Sequence, residues 1–240
     1  PGVFIEIDLN LNGTTVMNKD FQNVPKVSPI VQGIAAFILR MMGWKLIGNV
    51  PDKAKFVMIG GPHTSNLDVF LMVMMAWRLG IKISYLVAND LPFPLNHLSV
   101  WSNGIQIDRN HPNSNTVQQV VEYVNSVDKV ILMIAPEGRL RKVEYWGSGF
   151  YYIALGADLP VVPGYMDYAE KTIGIGEAFT PTGDIEADIK PLVAFFAPVT
   201  ARFPEKASPV RVRPRTKKMQ ERLADRHAKM ESGQPVAEDG

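Results

Sequence analysis

Residues 55–80 read "KFVMIGGPHTSNLDVFLMVMMAWRLG". The opening "KFVMIGG" (55–61) is a short apolar run closed by two glycines and a proline, the pattern of a buried strand. Ser65, Asn66, Leu67 and Asp68 then form a capping box, in which the serine hydroxyl and the aspartate carboxylate each take a free backbone amide. A helix over Leu67–Leu79 follows, and Gly80 supplies its stop. That helix is apolar all round, as buried helices are, and its Met72, Met74 and Met75 also suit an adaptable lipid-chain tunnel. A strand, a tight turn and a capped helix in 26 residues set an α/β unit.

The same alternation runs on from there. "IKISYLVA" (81–88) and "GIQIDR" (104–109) read as strands, and "SNTVQQVVEYVNSV" (114–127) as an amphipathic helix striped by Val117, Val120, Val121 and Val124. "KVILMIAP" (129–136) is β-rich, "GFYYIALGA" (149–157) helical and "LPVVPGYMDY" (159–168) extended. "KTIGIGEAF" (171–179) reads as an edge strand, and "DIEADIKPLVAFFAPV" (184–199) as a helix broken or restarted near Pro191. The expected fold is α/β, a mixed and mostly parallel sheet flanked by helices, with an amphipathic helical segment at the N-terminal side. No Ser/Gly-rich or charged linker divides the chain, so one large domain is expected. Residues 1–50 are read as the membrane-proximal segment, 51–205 as the catalytic-type domain and 206–240 as a basic, partly disordered tail.

The 240 residues carry 25 Lys and Arg against 24 Asp and Glu, a net charge of +1, which gives no global pull toward nucleic acid. Zero cysteines exclude disulfides, zinc–thiolate sites and a cysteine nucleophile. No stretch reaches the roughly 18 uncharged residues a spanning helix needs. The most membrane-like segment is "SPIVQGIAAFILRMMGWKLI" (28–47), opened as a helix by Ser28 as cap and Pro29 at the first position. Two readings of it stay open: a core helix, or a helix in the bilayer interface with Phe37, Ile38, Met41, Met42 and Trp44 dipped inward. The basic stretch "RVRPRTKKMQERLADRHAK" (211–229) reads as a solvated helical tail or a weaker second membrane contact.

His63 and Asp68 are the candidate acid/base pair. Five positions apart in one continuous helix they would diverge by about 140°. They meet only if His63 lies in the turn and Asp68 in the first helical turn, where the capping box puts them. Asp68 can then orient one imidazole nitrogen and leave the other as a general base. Arg109 ends the 104–109 strand, and Glu137, Gly138, Arg139 and Arg141 follow the end of the 129–136 strand. Ligands of α/β sheets bind at such carboxyl ends, and several arginines there point to an anion site.

Taken in order, "HTSNLD", "GIQIDR", "PEGRLR" and "LPVVPG" resemble the four motifs of the glycerolipid acyltransferases of the lysophosphatidate acyltransferase type, over residues 55–165. The resemblance implies transfer of an acyl group from an acyl thioester, on coenzyme A or a carrier protein, to a lysolipid or glycerol-phosphate-like hydroxyl. No resident cofactor is implied. His63 would be the base and Asp68 its orienting partner. Arg109, Glu137, Gly138, Arg139 and Arg141 would bind substrate. Leu140 stands where the family's third motif usually has its arginine, with Arg139 and Arg141 on either side. An insoluble acyl product, with an amphipathic segment at 28–47 and no span, leads to the expectation of peripheral attachment on the cytoplasmic side of a membrane. The near-neutral charge leads to that of no nucleic-acid partner. A phosphate-free acceptor, a serine-type lipid hydrolase and a non-catalytic lipid-binding module remain the alternatives, although no Gly-x-Ser-x-Gly elbow is present.

Overall fold

The computed structural model describes residues 26–88, 104–107 and 116–214. Arg109, the 89–103 segment and the tail beyond 214 lie outside the described residues. In chain order the elements are α1 (Pro29–Met42), β1 (Lys45–Ile47), β2 (Lys55–Gly61), α2 (Asn66–Arg78), β3 (Ser84–Ala88), β4 (Gly104–Ile107) and α3 (Thr116–Ser126). Then come β5 (Val130–Ile134), α4 (Gly149–Gly156), β6 (Val161–Asp167), β7 (Thr172–Ile175), α5 (Ile185–Asp188) and α6 (Lys190–Phe196). The expected break near Pro191 is there, between α5 and α6.

The strands form one sheet in the order β1-β7-β6-β2-β5-β3-β4. β6, β2, β5, β3 and β4 run parallel, while β7 is antiparallel to β6 and carries β1 parallel to itself. This is the mixed, mostly parallel sheet expected. β2 lies inside, with Val57 opposite Leu132 on one side and Val161 on the other. Its unbroken apolar run follows from that position. Phe56 and Met58 pack toward α1 and α2, and Val57 and Ile59 toward α3 and α4, so neither face meets water.

The segment 28–47 departs from a single helix. Ser28 and Pro29 open α1 as expected, but Gly43 closes it at φ 75°, its N–H bonding Arg40 O while Trp44 N–H bonds Leu39 O. Such a left-handed cap is a cheap stop at glycine and a costly one elsewhere. The chain then forms β1 and covers β7, so the 171–179 strand is not an edge. Gly48 is obligatory in this arrangement, because a Cβ there would lie 2.1 Å from Ile175 O at φ +91°. α1 packs antiparallel along α2, since Val27 N–H bonds Gly80 O at one end and Trp44 meets Tyr168 near Asp68 at the other. Ala35, Leu39 and Trp44 are buried in the core, and Ile38 and Met42 pack against it. Ile30, Ile34, Phe37 and Met41 form a stripe that stays more than half exposed. The interfacial face expected from sequence therefore splits: Ile38, Met42 and Trp44 belong to the core.

Candidate active site

β2 and β5 are neighbours, yet the helix after β2 lies on one face of the sheet and the helix after β5 on the other. Their following loops part at that switch point and leave a crevice at the strands' carboxyl ends. The sequence puts "PHTS" in the first loop and "APEGRL" in the second.

α2 begins as the capping box requires. Ser65 Oγ accepts the Leu67 N–H at 3.0 Å, and Asp68 Oδ2 accepts the Ser65 and Thr64 N–H groups at 2.8 and 2.7 Å. The same Oδ2 lies 3.4 Å from His63 Nδ1. The cap and the orienting partner are thus one carboxylate. Asp68 is 1% exposed, and His63 keeps 18% of its side chain open. With Nδ1 turned to Asp68, Nε2 is the nitrogen available to a substrate. Burial alone would raise the Asp68 pKa. The hydrogen bonds from His63, Tyr168, Thr64 and Ser65 outweigh it and hold the carboxyl below its ordinary value.

Glu137 follows β5 and is buried. The sequence reading counts it among the substrate contacts; the structure engages both its oxygens with backbone. Oε2 accepts the His63 N–H at 2.5 Å and Oε1 the Ser208 N–H at 3.2 Å. Burial raises its pKa, opposed by these bonds and by the proximity of His63. Glu137 thereby ties the loop after β2 to the loop after β5 and anchors the histidine's backbone.

The crevice between the loops has a volume of about 230 Å³. His63, Asp68, Gly138, Arg139 and Leu140 line it, with Met72, Tyr85, Leu86, Met133 and Met166. Beside it, against α2, lies a smaller and almost wholly apolar chamber lined by Met58, Met75, Leu79, Ile81 and Ile83. The two share Gly60, Met72, Met133 and Met166 as a common wall. Gly138 turns at φ +65°, a conformation glycine takes without strain. Of the residues singled out from sequence, His63, Asp68, Gly138 and Arg139 come together on the crevice, and Glu137 stands behind it. Arg141 is exposed and off the described lining, and Arg109 lies outside the described residues.

Two features were not read from sequence. Tyr168, just past β6, donates its hydroxyl to Asp68 Oδ1 at 2.5 Å, and its ring meets Trp44 edge-on at 5.0 Å. Residues 200–212 run as a strap across both loops. Arg202 Nη1 bonds Ser65 Oγ at 3.3 Å and Phe203 N–H bonds Thr64 Oγ1 at 3.3 Å. Ser208 reaches Glu137, and Trp146 N–H bonds Arg211 O at 2.8 Å. Residues 206–212, assigned to the tail from sequence, are laced into this loop system. "TARFPEKASPVRV" has no periodicity to announce it. Among the described residues no group of side chains is placed to hold a metal ion, and no helix is long and apolar enough to cross a membrane.

The described residues thus form a mostly parallel α/β sheet with a His–Asp pair at its switch point. The chain belongs to the acyltransferase family, whose model matches residues 45–167. Among solved structures it is similar to the 1-acyl-sn-glycerophosphate (LPA) acyltransferase PlsC from Thermotoga maritima. That likeness has a TM-score of 0.50 at 14% identity and covers 72% of this chain and 80% of that one, which speaks for the fold. No curated protein sequence matches the chain. The resemblance to the glycerolipid acyltransferases drawn from the four motifs holds at the level of family and fold.

Proposed function

We propose that this acyltransferase moves a fatty acyl group from an acyl thioester to the hydroxyl of a lysophospholipid or glycerol-phosphate-like acceptor. The observation that carries the reading is the His63–Asp68 pair set in a crevice that adjoins an apolar chamber. His63 Nε2 removes the hydroxyl proton as the oxygen attacks the thioester carbonyl carbon. The tetrahedral adduct then collapses, the carbon–sulfur bond breaks, and the proton on the imidazole passes to the departing thiolate. Asp68 steadies the imidazolium between those two transfers. No nucleophilic side chain is required, which fits a chain without cysteine or a serine elbow. The methionine wall between crevice and chamber suits a flexible acyl chain. Arg139 lines the crevice, and its guanidinium is the group that would pair with an acceptor phosphate. Leu140 beside it favours the second reading, an acceptor without phosphate.

The exposed stripe Ile30, Ile34, Phe37 and Met41 supports peripheral attachment to a membrane surface, with Arg40, Lys45 and Lys171 near its C-terminal end for anionic lipid. The decisive experiment is acyl transfer from acyl-coenzyme A, and from acyl carrier protein, to lysophosphatidate and to a phosphate-free monoacylglycerol. His63→Ala should be folded and slower by about 10²–10⁴-fold. A fully active His63→Ala overturns the mechanism. Binding of lysolipid with no transfer from either donor marks a lipid-binding module instead.

A further inference from the structure

We infer that Tyr168 is a positioning residue of the acyl-transfer reaction, the third member of a His63–Asp68–Tyr168 chain. The inference rests on the proposed role of His63 as base. Asp68 has two oxygens with unequal duties. Oδ2 receives His63 Nδ1 and the Thr64 and Ser65 amides, all from the loop that the carboxylate itself caps. Among the described residues Oδ1 has one partner, the Tyr168 hydroxyl at 2.5 Å, which comes from a different element a hundred residues along the chain. That bond is what fixes the rotation of the carboxylate about its own axis. Without it a buried oxygen loses its donor, and the carboxylate, no longer fixed in rotation, keeps the imidazole but lets it tilt from its working orientation.

The tyrosine is itself held. Its ring meets Trp44 edge-on, and its backbone N–H bonds Thr200 O at 2.9 Å. Burial first, then the bond to Asp68, pushes its hydroxyl pKa well above the ordinary value, so it stays a donor. A donor on Oδ1 also draws charge from Oδ2 and makes Asp68 a weaker acceptor toward imidazole. Tyr168 thereby sets how readily the base is protonated. Among the described residues the other charged groups facing this loop are Glu137 from the loop after β5 and Arg202 from the strap, with Arg139 on the crevice wall. None of them is bonded to Oδ1.

The test uses the full chain, acyl-coenzyme A and lysophosphatidate. Tyr168→Phe keeps the ring and removes one oxygen. It should lower kcat by about 10- to 100-fold, the equivalent of one hydrogen bond to a charged group, and leave both KM values near wild type. The acid limb of kcat/KM should move to higher pH, because an Asp68 freed of one donor holds the imidazolium more strongly. In an Asp68→Asn background the same substitution should cost little more, since Tyr168 acts through the carboxylate. A fluorinated tyrosine at position 168, a stronger donor in an unaltered fold, should move the acid limb the other way and keeps the test open if Phe destabilises the protein. Wild-type kcat and pH profile in Tyr168→Phe, losses of equal size with and without Asp68, or a fluorotyrosine with no effect on the acid limb each overturn the inference. An active His63→Ala would instead remove the reading beneath it, so the two failures are told apart.

Discussion

Replacing Glu137 by glutamine separates an anchor from a substrate contact. Both carboxylate oxygens accept backbone N–H groups, from His63 and from Ser208. A glutamine is nearly the same size, but one of its two ends is an NH₂ donor. Whichever end it turns, one backbone N–H then faces another donor. A hydrogen bond to a charged group is worth roughly 1.5–3 kcal/mol, and a buried donor left unsatisfied costs a similar amount. Part of that loss is offset, because burial already disfavours the ionised carboxylate, as its raised pKa records. A net destabilisation of about 1.5–3 kcal/mol remains. For a chain of this size it lowers Tm by about 3–12 °C. The displaced group is the backbone of His63, so kcat should fall about tenfold or more while the KM values of donor and acceptor stay put. Thermal unfolding and steady-state kinetics on one preparation give both numbers. A glutamine variant with wild-type Tm and a raised acceptor KM refutes the anchor and returns Glu137 to the substrate.

Serine at Ile30, Ile34, Phe37 and Met41 should cut binding to anionic vesicles by more than about tenfold with Tm unchanged, as each large apolar side chain is worth about 1.5–3 kcal/mol when fully buried. Serine at Ile38 alone should lower Tm, because that side chain packs on the core; vesicle flotation and melting curves check the pair. Arg139→Ala should raise the KM for lysophosphatidate and spare that of the acyl donor, whereas Arg141→Ala should change neither. Equal KM effects from both arginines would end the distinction drawn from the crevice lining. Asp68 is held below its ordinary pKa of 3.8, so its stabilising contribution is full above the unfolded value and is lost as pH falls through the folded one. The stability gap between wild type and Asp68→Asn should accordingly be widest near neutrality and close only at strongly acid pH, as denaturant unfolding at a series of pH values would record.

Local signals made most of the fold legible. β2, α2 and β5 are long apolar runs with caps or prolines at their ends, and each lies within a residue or two of its expected place. β1 was not legible, because three residues after a helix carry no period of their own. Only the pairing of Lys45–Ile47 with Thr172–Gly174 makes them a strand. Gly43 was the available sign, a glycine after an apolar helix with a basic last turn. Within the site, His63 and Asp68 are neighbours in sequence, so the capping geometry brought them together on paper. Tyr168, Arg202 and Ser208 reach the same loops from far along the chain, and nothing local in "GYMDYAE" or "TARFPEKAS" marks them. Glu137 was found from its place after a strand, which suggested a substrate contact; its two bonds to the His63 and Ser208 amides come from far along the chain and had no local sign.

Asp68 explains why stability and chemistry are bound together in residues 60–68. Its side chain closes the capping box that starts α2, and α2 roofs both the crevice and the apolar chamber. The same oxygen that takes the Ser65 N–H also takes the imidazole. A helix start generally needs some acceptor at this position, and glutamate or glutamine serve as well as aspartate. Orienting a histidine five residues back is more demanding. The shorter side chain keeps the carboxylate over the turn, where one oxygen reaches two backbone amides and a ring nitrogen together. A longer acid would cap the helix and pass the imidazole by. The capping role therefore accounts for an acceptor at position 68, and the orienting role for its being aspartate.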